Sequence, residues 1–543
     1  MKKVKKMNAD KQESWLPLVL VAFASFIITL DATFMNVSIS QLILDLNTSL
    51  STIQLIISFY TLTTASLMLI GSKLQDIIGR KQIFLMGALI YGIGAIIAAL
   101  SQNSAMLFIG WSLLEGIGGA LMTPAIISII IGTYDKNRRT FALAIASAIG
   151  GIAAAIGPLF GGFVTTFLSW RFGFAFELAV IILIFAFSKN IKNFKPQSRK
   201  TNFDLIGGIF SIISLVLLVL GVLELKKNII LSIILFVISI ALLRLFISYE
   251  IKLKASGATP LVDMDLFKNS NLFAGMAIRF ITMIAMMGCL FAVSVFLQGA
   301  LKLNAFDTGI NLIPATGGVL ISALLAERLS RIYSHKILMS IGFVLAIIGA
   351  IILRFQFGLH VSFIDIAPGM FLLGIGLGIV IALGIDISIK GMDDESQSTA
   401  SGLLTTSQTL GSSIGTAVIG CILIIGATAG IADAVDVYVS DANQTQFEVG
   451  TGEYLEKLGN LNESSILSQD VKAKIANIVL ADAMKMVMDF TATLLLIGLI
   501  LTHTIDSRIV IGRRIKRLRS ERLNGPKGRL ARQELSKDRK EKK

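Results

Sequence analysis

Fourteen apolar stretches of membrane length run through the 543 residues of this chain, and they leave very few folds open to it. About twenty apolar residues at 1.5 Å rise cross a hydrocarbon layer some 30 Å thick. Within that layer only helices and closed barrels satisfy their own backbone polar groups, and the runs here are helical in length. The composition agrees, with 54% hydrophobic and only 15% charged residues, the latter gathered into gaps between the runs. The predicted spans of the first half are Leu16 to Ile39, Ile53 to Ile70, Ile83 to Leu100, Ala105 to Ile127, Ala142 to Val164 and Phe172 to Phe187. Two follow at Leu205 to Leu223 and Ile229 to Ile247. The last six are Leu272 to Leu297, Ile310 to Leu325, Ile337 to Leu353, Ile366 to Ile389, Leu403 to Ala427 and Met486 to Leu501. The fold class expected is therefore an all-α polytopic membrane protein.

A net charge of +14 invites a nucleic-acid reading, but its distribution opposes one. About 38 of the 49 Lys and Arg residues fall in the N-terminal arm, the alternate loops on its side and the C-terminal tail, against about nine on the other side. That asymmetry is the positive-inside pattern, which predicts both termini in the cytoplasm and an even number of spans. The first run is long enough to span and carries Asp31, so it is expected to be a mature helix rather than a cleaved signal. Cys289 and Cys421 lie inside apolar runs and argue for neither disulfide nor metal. No cofactor and no metal is expected, and His335, His360 and His503 sit at the ends of different spans, which disfavours a membrane-embedded enzyme. No G-x-x-x-x-G-K-[ST] loop for nucleotide appears.

Two cytoplasmic loops repeat one pattern. Ser72-Lys-Leu-Gln-Asp-Ile-Ile-Gly-Arg-Lys81 with Gly87 aligns with Glu327-Arg-Leu-Ser-Arg-Ile-Tyr-Ser-His-Lys336 with Gly342, so that Leu74/Leu329, Ile77/Ile332, Lys81/Lys336 and Gly87/Gly342 coincide. Two related six-span halves follow. The predicted organisation is a basic arm (1–14), an N-terminal six-helix bundle (15–188), a linker with an inserted hairpin of spans seven and eight (189–249), a C-terminal six-helix bundle (250–506) and a basic tail (507–543). An acidic external segment at about 430–485 reads as a solvated loop. In the tail, Ile511, Ile515 and Leu518 at helical spacing among arginines suit either a helix on anionic membrane lipid or a disordered tail.

Three of the first six spans carry a carboxylate: Asp31 in the outer part of the first, Glu115 near the middle of the fourth, and Glu177 in the outer third of the sixth. An ionised carboxylate at the bilayer centre costs on the order of 2.5 to 3.5 kcal/mol, so such residues mark ion or substrate paths. Each is a candidate for proton coupling or for the substrate cavity, and Arg279 in the ninth span is a candidate partner for them or for an anionic substrate group. Structural, hydrogen-bonded carboxyls and a snorkelling arginine are the plainer alternatives.

The loop after the second span resembles the G-x-L-a-D-x-x-G-R-K signature of the major facilitator superfamily, with Asp76, Gly79, Arg80 and Lys81 matching, and Ser72 and Ile77 departing. That resemblance implies a cytoplasmic gate in which Asp76 pairs with Arg80 or caps a neighbouring helix when the inner mouth is shut. Gly157-Pro158-Leu-Phe-Gly161-Gly162 in the fifth span is similar to the G-P-x-x-G-G element of antiporter-type members. Leu30-Asp31-Ala-Thr-Phe-Met-Asn36-Val37, Trp170-Arg171, Leu297-Gln298 and Gly411-Ser-Ser-Ile-Gly415 resemble the fourteen-span drug:proton antiporter branch. The fourth span departs: where the branch has R-x-x-Q-G, this chain has Ser112-Leu-Leu-Glu115-Gly116, and Glu177 stands where asparagine is usual. The resemblance implies two six-helix bundles plus the inserted hairpin, and export of small amphipathic, cationic compounds from a bacterial cytoplasm in exchange for protons. Export of one physiological solute, such as a lipid precursor, siderophore or peptide, is the alternative within the same fold. Oligomeric state is left open by the sequence.

Overall fold

The computed structural model describes residues 14–194, 204–225, 228–330, 332–389, 394–438 and 469–504. The tail, most of the arm and the middle of the acidic segment (439–468) lie outside the described residues, as does the Asp386 side chain. Every described element is helical, and 14 helices are long and apolar enough to cross a membrane. Spans one to six are Leu16–Val37, Leu50–Ile78, Arg80–Ala99, Ser104–Thr133, Phe141–Phe167 and Arg171–Asn190. Spans seven and eight are Leu205–Glu224 and Ile229–Ala255. Spans nine to fourteen are Ser270–Gly299, Ala305–Ala326, His335–Arg354, Phe363–Ile385, Thr399–Gly430 and Asn477–Thr504.

Most spans run a turn or more beyond the apolar runs that predicted them, because helices continue into polar flanks that hydropathy does not mark. The acidic segment shows this most: helices Asp394–Tyr438 and Gln469–Thr504 enter it from both sides, so the loop expected at 430–485 is shorter than it reads in sequence. Helix starts carry ordinary caps. Ser49 accepts from the Thr52 amide, Asp135 from Arg138, Asp204 from Gly207 and Asn304 from Asp307, each satisfying a donor that the first helical turn leaves free.

In lipid there is no hydrophobic drive between helices, so close packing at small residues decides which spans meet. A Cβ on Gly87 would lie 2.9 Å from the Gly118 carbonyl oxygen, and one on Gly94 would lie 2.6 Å from that of Gly110, so spans three and four touch backbone to backbone. In the second half Gly342 and Gly349 stand in the same way against Gly376 and Gly369, at 2.7 Å each, joining spans eleven and twelve. The repeat also shows at the inner ends. Lys81 Nζ donates to the Ile191 carbonyl just past span six at 2.9 Å, and Lys336 Nζ donates to that of His503 in span fourteen at 2.7 Å. The inserted hairpin is held by Ser232 and Ser239, which donate to the Gly221 and Ser214 carbonyls. It leans on spans two and thirteen, through Gly208 against Ile70 and through Cys421 Sγ to the Val222 carbonyl. Its outer face, with Ile233, Val237 and Ile240 more than half exposed, is dressed for lipid.

The two halves meet along two seams, span two with span thirteen and span five with span ten. Among the described residues, the hydrogen bonds joining the halves all lie toward one end, the one where span one ends and span two begins. Gln54 donates to the Thr416 and Ala417 carbonyls, Ser413 Oγ to that of Ser58, the Ser40 amide to Gln298 Oε1, and the Phe306 amide to Thr166. The seam of spans five and ten narrows the same way. Cβ atoms on Gly162 and Gly309 would lie 2.5 Å from the Ala305 and Pro158 carbonyls, whereas one on Gly151 would first meet Leu320 at 3.9 Å and one on Gly317 would meet nothing. The bundle is clasped at the end that holds Gln54 and Gln298, and the seam of spans five and ten is looser toward the other.

Candidate functional site

The fourth span is not a uniform α-helix. Between Ser104–Leu107 and Gly116–Thr133 it passes through a π-helix, Phe108–Glu115, an irregularity that concentrates at functional sites. This segment delivers three side chains. Ser112, where the family has arginine, donates to the Ile56 carbonyl at 2.7 Å and so joins span four to span two. Trp111 stacks on Tyr60 and donates its indole N–H to Asp31 Oδ2 at 2.8 Å. Glu115 ends the π-helix, and Gly94 makes room for it: a Cβ there would lie 2.8 Å from Glu115 Cγ.

Asp31, Glu115 and Glu177 are all fully buried, and they meet: one carboxylate oxygen from each lies within 4.8 Å of the others. Tyr91 donates to Glu177 Oε2 at 3.2 Å. Only the Trp111 and Tyr91 bonds reach full hydrogen-bond geometry among the described residues; Asp31 Oδ1, Glu177 Oε1 and both Glu115 oxygens make none and face one another and the Tyr60 and Tyr91 phenols. None of the three forms an ion pair with a described residue. Two full charges 4.8 Å apart repel by about 3.5 kcal/mol at an effective dielectric constant of about 20, so a trio this close demands bound protons or a bound cation.

Asp31, Glu115 and Glu177, read from the sequence at different depths of their spans, share one level in the structure. Tyr60, Tyr91 and Trp111, which line the trio, are themselves 2% exposed or less. Arg279 is placed apart from it. Its guanidinium, 6% exposed, donates to the Ile381 carbonyl and to Gln408 of its own half, and Nε is unsatisfied. Trp111, Tyr60 and Tyr91 were not singled out in the sequence; the available signal was a buried indole N–H, which needs an acceptor, four residues before a carboxylate.

At the inner end Gly79 takes φ +118°, a backbone that disfavours side chains, and it breaks span two from span three. The expected Asp76–Arg80 pair is absent. Arg80 donates to the Ser128 carbonyl at 3.0 Å and lies over the Phe194 ring, while half-buried Asp76 bonds no described residue. Gly157 and Gly161 serve close approach, as read from the sequence, and the helix they admit is span one: Cβ atoms there would lie 1.9 Å from Thr33 Oγ1 and 2.4 Å from the Phe34 carbonyl. Gly162 admits span ten, and Pro158 presents its carbonyl to Gly309. Asn36 and Gln298, from separate branch-like motifs, meet in the clasp, where Gln298 Nε2 reaches the Asn36 carbonyl at 3.5 Å. Trp170 and Arg171 both donate to Asp45, bracing that end of the first half.

Comparison with known proteins agrees with this architecture. The family model described as Major Facilitator Superfamily matches residues 21–416. Similar proteins include a probable actinorhodin transporter of Streptomyces coelicolor, 26% identical over 75% of this chain and 72% of its own length. The methylenomycin A resistance protein of Bacillus subtilis is 26% identical over 76% of this chain and 88% of its own. The multidrug efflux pump LfrA of Mycolicibacterium smegmatis is 25% identical over 75% and 81%. Among solved structures, an auto-inhibited peptide transporter of the POT family superposes with TM-score 0.57 at 15% identity, covering 84% of this chain and 100% of that one. A bacterial homolog of the human lysosomal transporter Spinster, in an inward-facing and occupied conformation, gives 0.56 at 15%, covering 90% and 95%. With its fourteen spans, its repeated halves and a family match over most of its length, the chain belongs to the Major Facilitator Superfamily.

Proposed function

We propose that this chain is a secondary active exporter that moves small amphipathic, cationic compounds out of a bacterial cytoplasm in exchange for protons. The observation that carries the reading is the buried trio of Asp31, Glu115 and Glu177, three carboxylates without a countercharge inside a membrane bundle clasped at one end. Carboxylates held this way must load and release cations as the bundle moves, which is what coupling requires. Relatives named for antibiotic export, antibiotic resistance and multidrug efflux support the substrate class. All come from bacteria, which supports a bacterial cytoplasmic membrane, and the basic arm, loops and tail support cytoplasmic termini against anionic lipid.

In this reading the trio is the ion site of the N-terminal bundle (15–188), and substrate enters from the looser side between that bundle and the C-terminal one (250–506). Arg279, the deeply placed guanidinium of the second half, contacts polar groups of the substrate. Asp76, Gly79, Arg80 and Lys81 form the inner gate, and Gly157, Pro158, Gly161 and Gly162 are the close-packed pivot between span five and its neighbours. Alternating access carries substrate outward and protons inward, each charge gaining about 2.3 kcal/mol per 100 mV.

The test is efflux of a lipophilic cationic dye in everted vesicles, with and without a pH gradient. Glu115→Gln is expected to insert and fold normally, since it removes a buried charge with no partner, yet to lose gradient-driven efflux. Undiminished active efflux by that variant at equal abundance refutes the assignment.

A further inference from the structure

Two members of the trio are tethered through one oxygen each, Asp31 by Trp111 and Glu177 by Tyr91. The third is tethered through neither. Glu115 is 0% exposed, both of its oxygens lack a partner, and its carboxyl converges on the other two. Burying a charge in this manner is among the costliest arrangements in a protein unless something absent from the chain itself completes it.

For three oxygens no more than 4.8 Å apart, some point lies within about 2.8 Å of all of them. Hard cations of the Ca2+ type take six to eight oxygens at about 2.3–2.6 Å, so an inward movement of a few tenths of an ångström brings the three into bonding distance, and bidentate carboxylates would raise the protein's share to six. The donor set is oxygen only, which favours neither zinc nor copper. The surroundings are dry and aromatic, which disfavours Mg2+, an ion that keeps its waters. No lysine, arginine or histidine pairs with the trio among the described residues. The titratable groups facing it are the phenols of Tyr60 and Tyr91, both neutral at physiological pH.

We propose that Asp31, Glu115 and Glu177 form a site for a dehydrated hard divalent cation of the Ca2+ or Mn2+ class. Three carboxylates balance one such ion and one proton. The proposal rests on reading the trio as the ion site of a transporter, and it names an ion beyond the proton for that site.

The experiment uses the full-length protein, purified and stripped of metal, at a single pH near neutrality. Radiolabelled Ca2+ and the paramagnetic signal of Mn2+ report binding. One ion per chain is expected, with affinity at least tenfold weaker in Glu115→Gln and in Glu177→Gln and unchanged in Asp265→Asn, an exposed carboxylate in the segment before span nine. Glu115→Asp, which keeps the charge but withdraws it, is expected to fold and to bind more weakly, so a misfolded Gln variant leaves the test standing. Absence of stoichiometric binding, equal binding by the variants, or equal potency of Mg2+ or Na+ overturns the site. Gradient-driven efflux in chelator-treated vesicles separates the two readings. Efflux without ion binding sinks the metal site alone, and ion binding without efflux of any compound sinks the exporter alone.

Discussion

Replacing Gly161 by alanine tests the pivot through a single methyl group. A Cβ at this position would stand 2.4 Å from the Phe34 carbonyl oxygen, 2.8 Å from Phe34 Cβ and 2.9 Å from Phe34 Cα, where ordinary contact begins at 3.4 Å. Two of those atoms are backbone and no rotamer relieves them, so span one must move away from span five by about 1 Å. Overpacking of this kind costs about 1–3 kcal/mol. Gly151→Ala in the same helix is the control, because its methyl first meets Leu320 at an ordinary 3.9 Å. Both variants gain the same helix propensity, roughly 1 kcal/mol, so the difference between them isolates the clash at about 1–3 kcal/mol. Phe34 also carries the disturbance onward. It packs on Phe174 at 5.8 Å, Phe174 on Trp111 at 6.1 Å, and Trp111 holds Asp31. The melting temperature of the purified protein, followed by tryptophan fluorescence, and efflux per molecule in vesicles should both be lower for Gly161→Ala than for Gly151→Ala. If the two variants melt and transport alike, span one is not seated on Gly161 as described.

Two further predictions concern the ends of the bundle. Asp76→Asn should leave the melting temperature unchanged, since Asp76 forms no ion pair with a described residue, and under the proposed gating role it should slow turnover; normal turnover of bound substrate with collapsed affinity would exclude that role. Gln298→Leu leaves the half-buried Ser40 amide without its acceptor, costing the clasped arrangement about 1–3 kcal/mol, or roughly five- to 150-fold in its population. A reporter cysteine at buried Ser38, in a background lacking the two buried native cysteines, should then react faster with an impermeant thiol reagent, and an unchanged rate would mean that Gln298 is not part of the clasp.

The spans, their number and the repeat of the two halves were legible in the sequence because lipid judges each segment separately. A run either has the length and apolarity to cross or it does not, and no neighbour is needed to decide. The glycine elements were legible as places of close approach for a related reason, since a missing side chain matters only where another backbone arrives. Which backbone arrives was a tertiary decision. Gly161 meets span one and Gly162 meets span ten, and nothing in the order of residues distinguishes the two partners. The carboxylates divide in the same way. That Asp31, Glu115 and Glu177 were unusual followed from the cost of charge in hydrocarbon. That they form one cluster, with Arg279 left outside it, was a tertiary outcome, in which Glu115 ends a π-helical stretch and Gly94 leaves the space it fills. The clasped end, too, belongs to the structure alone, because the bonds of Gln54, Ser58 and Gln298 across the halves join residues more than 250 positions apart in the sequence.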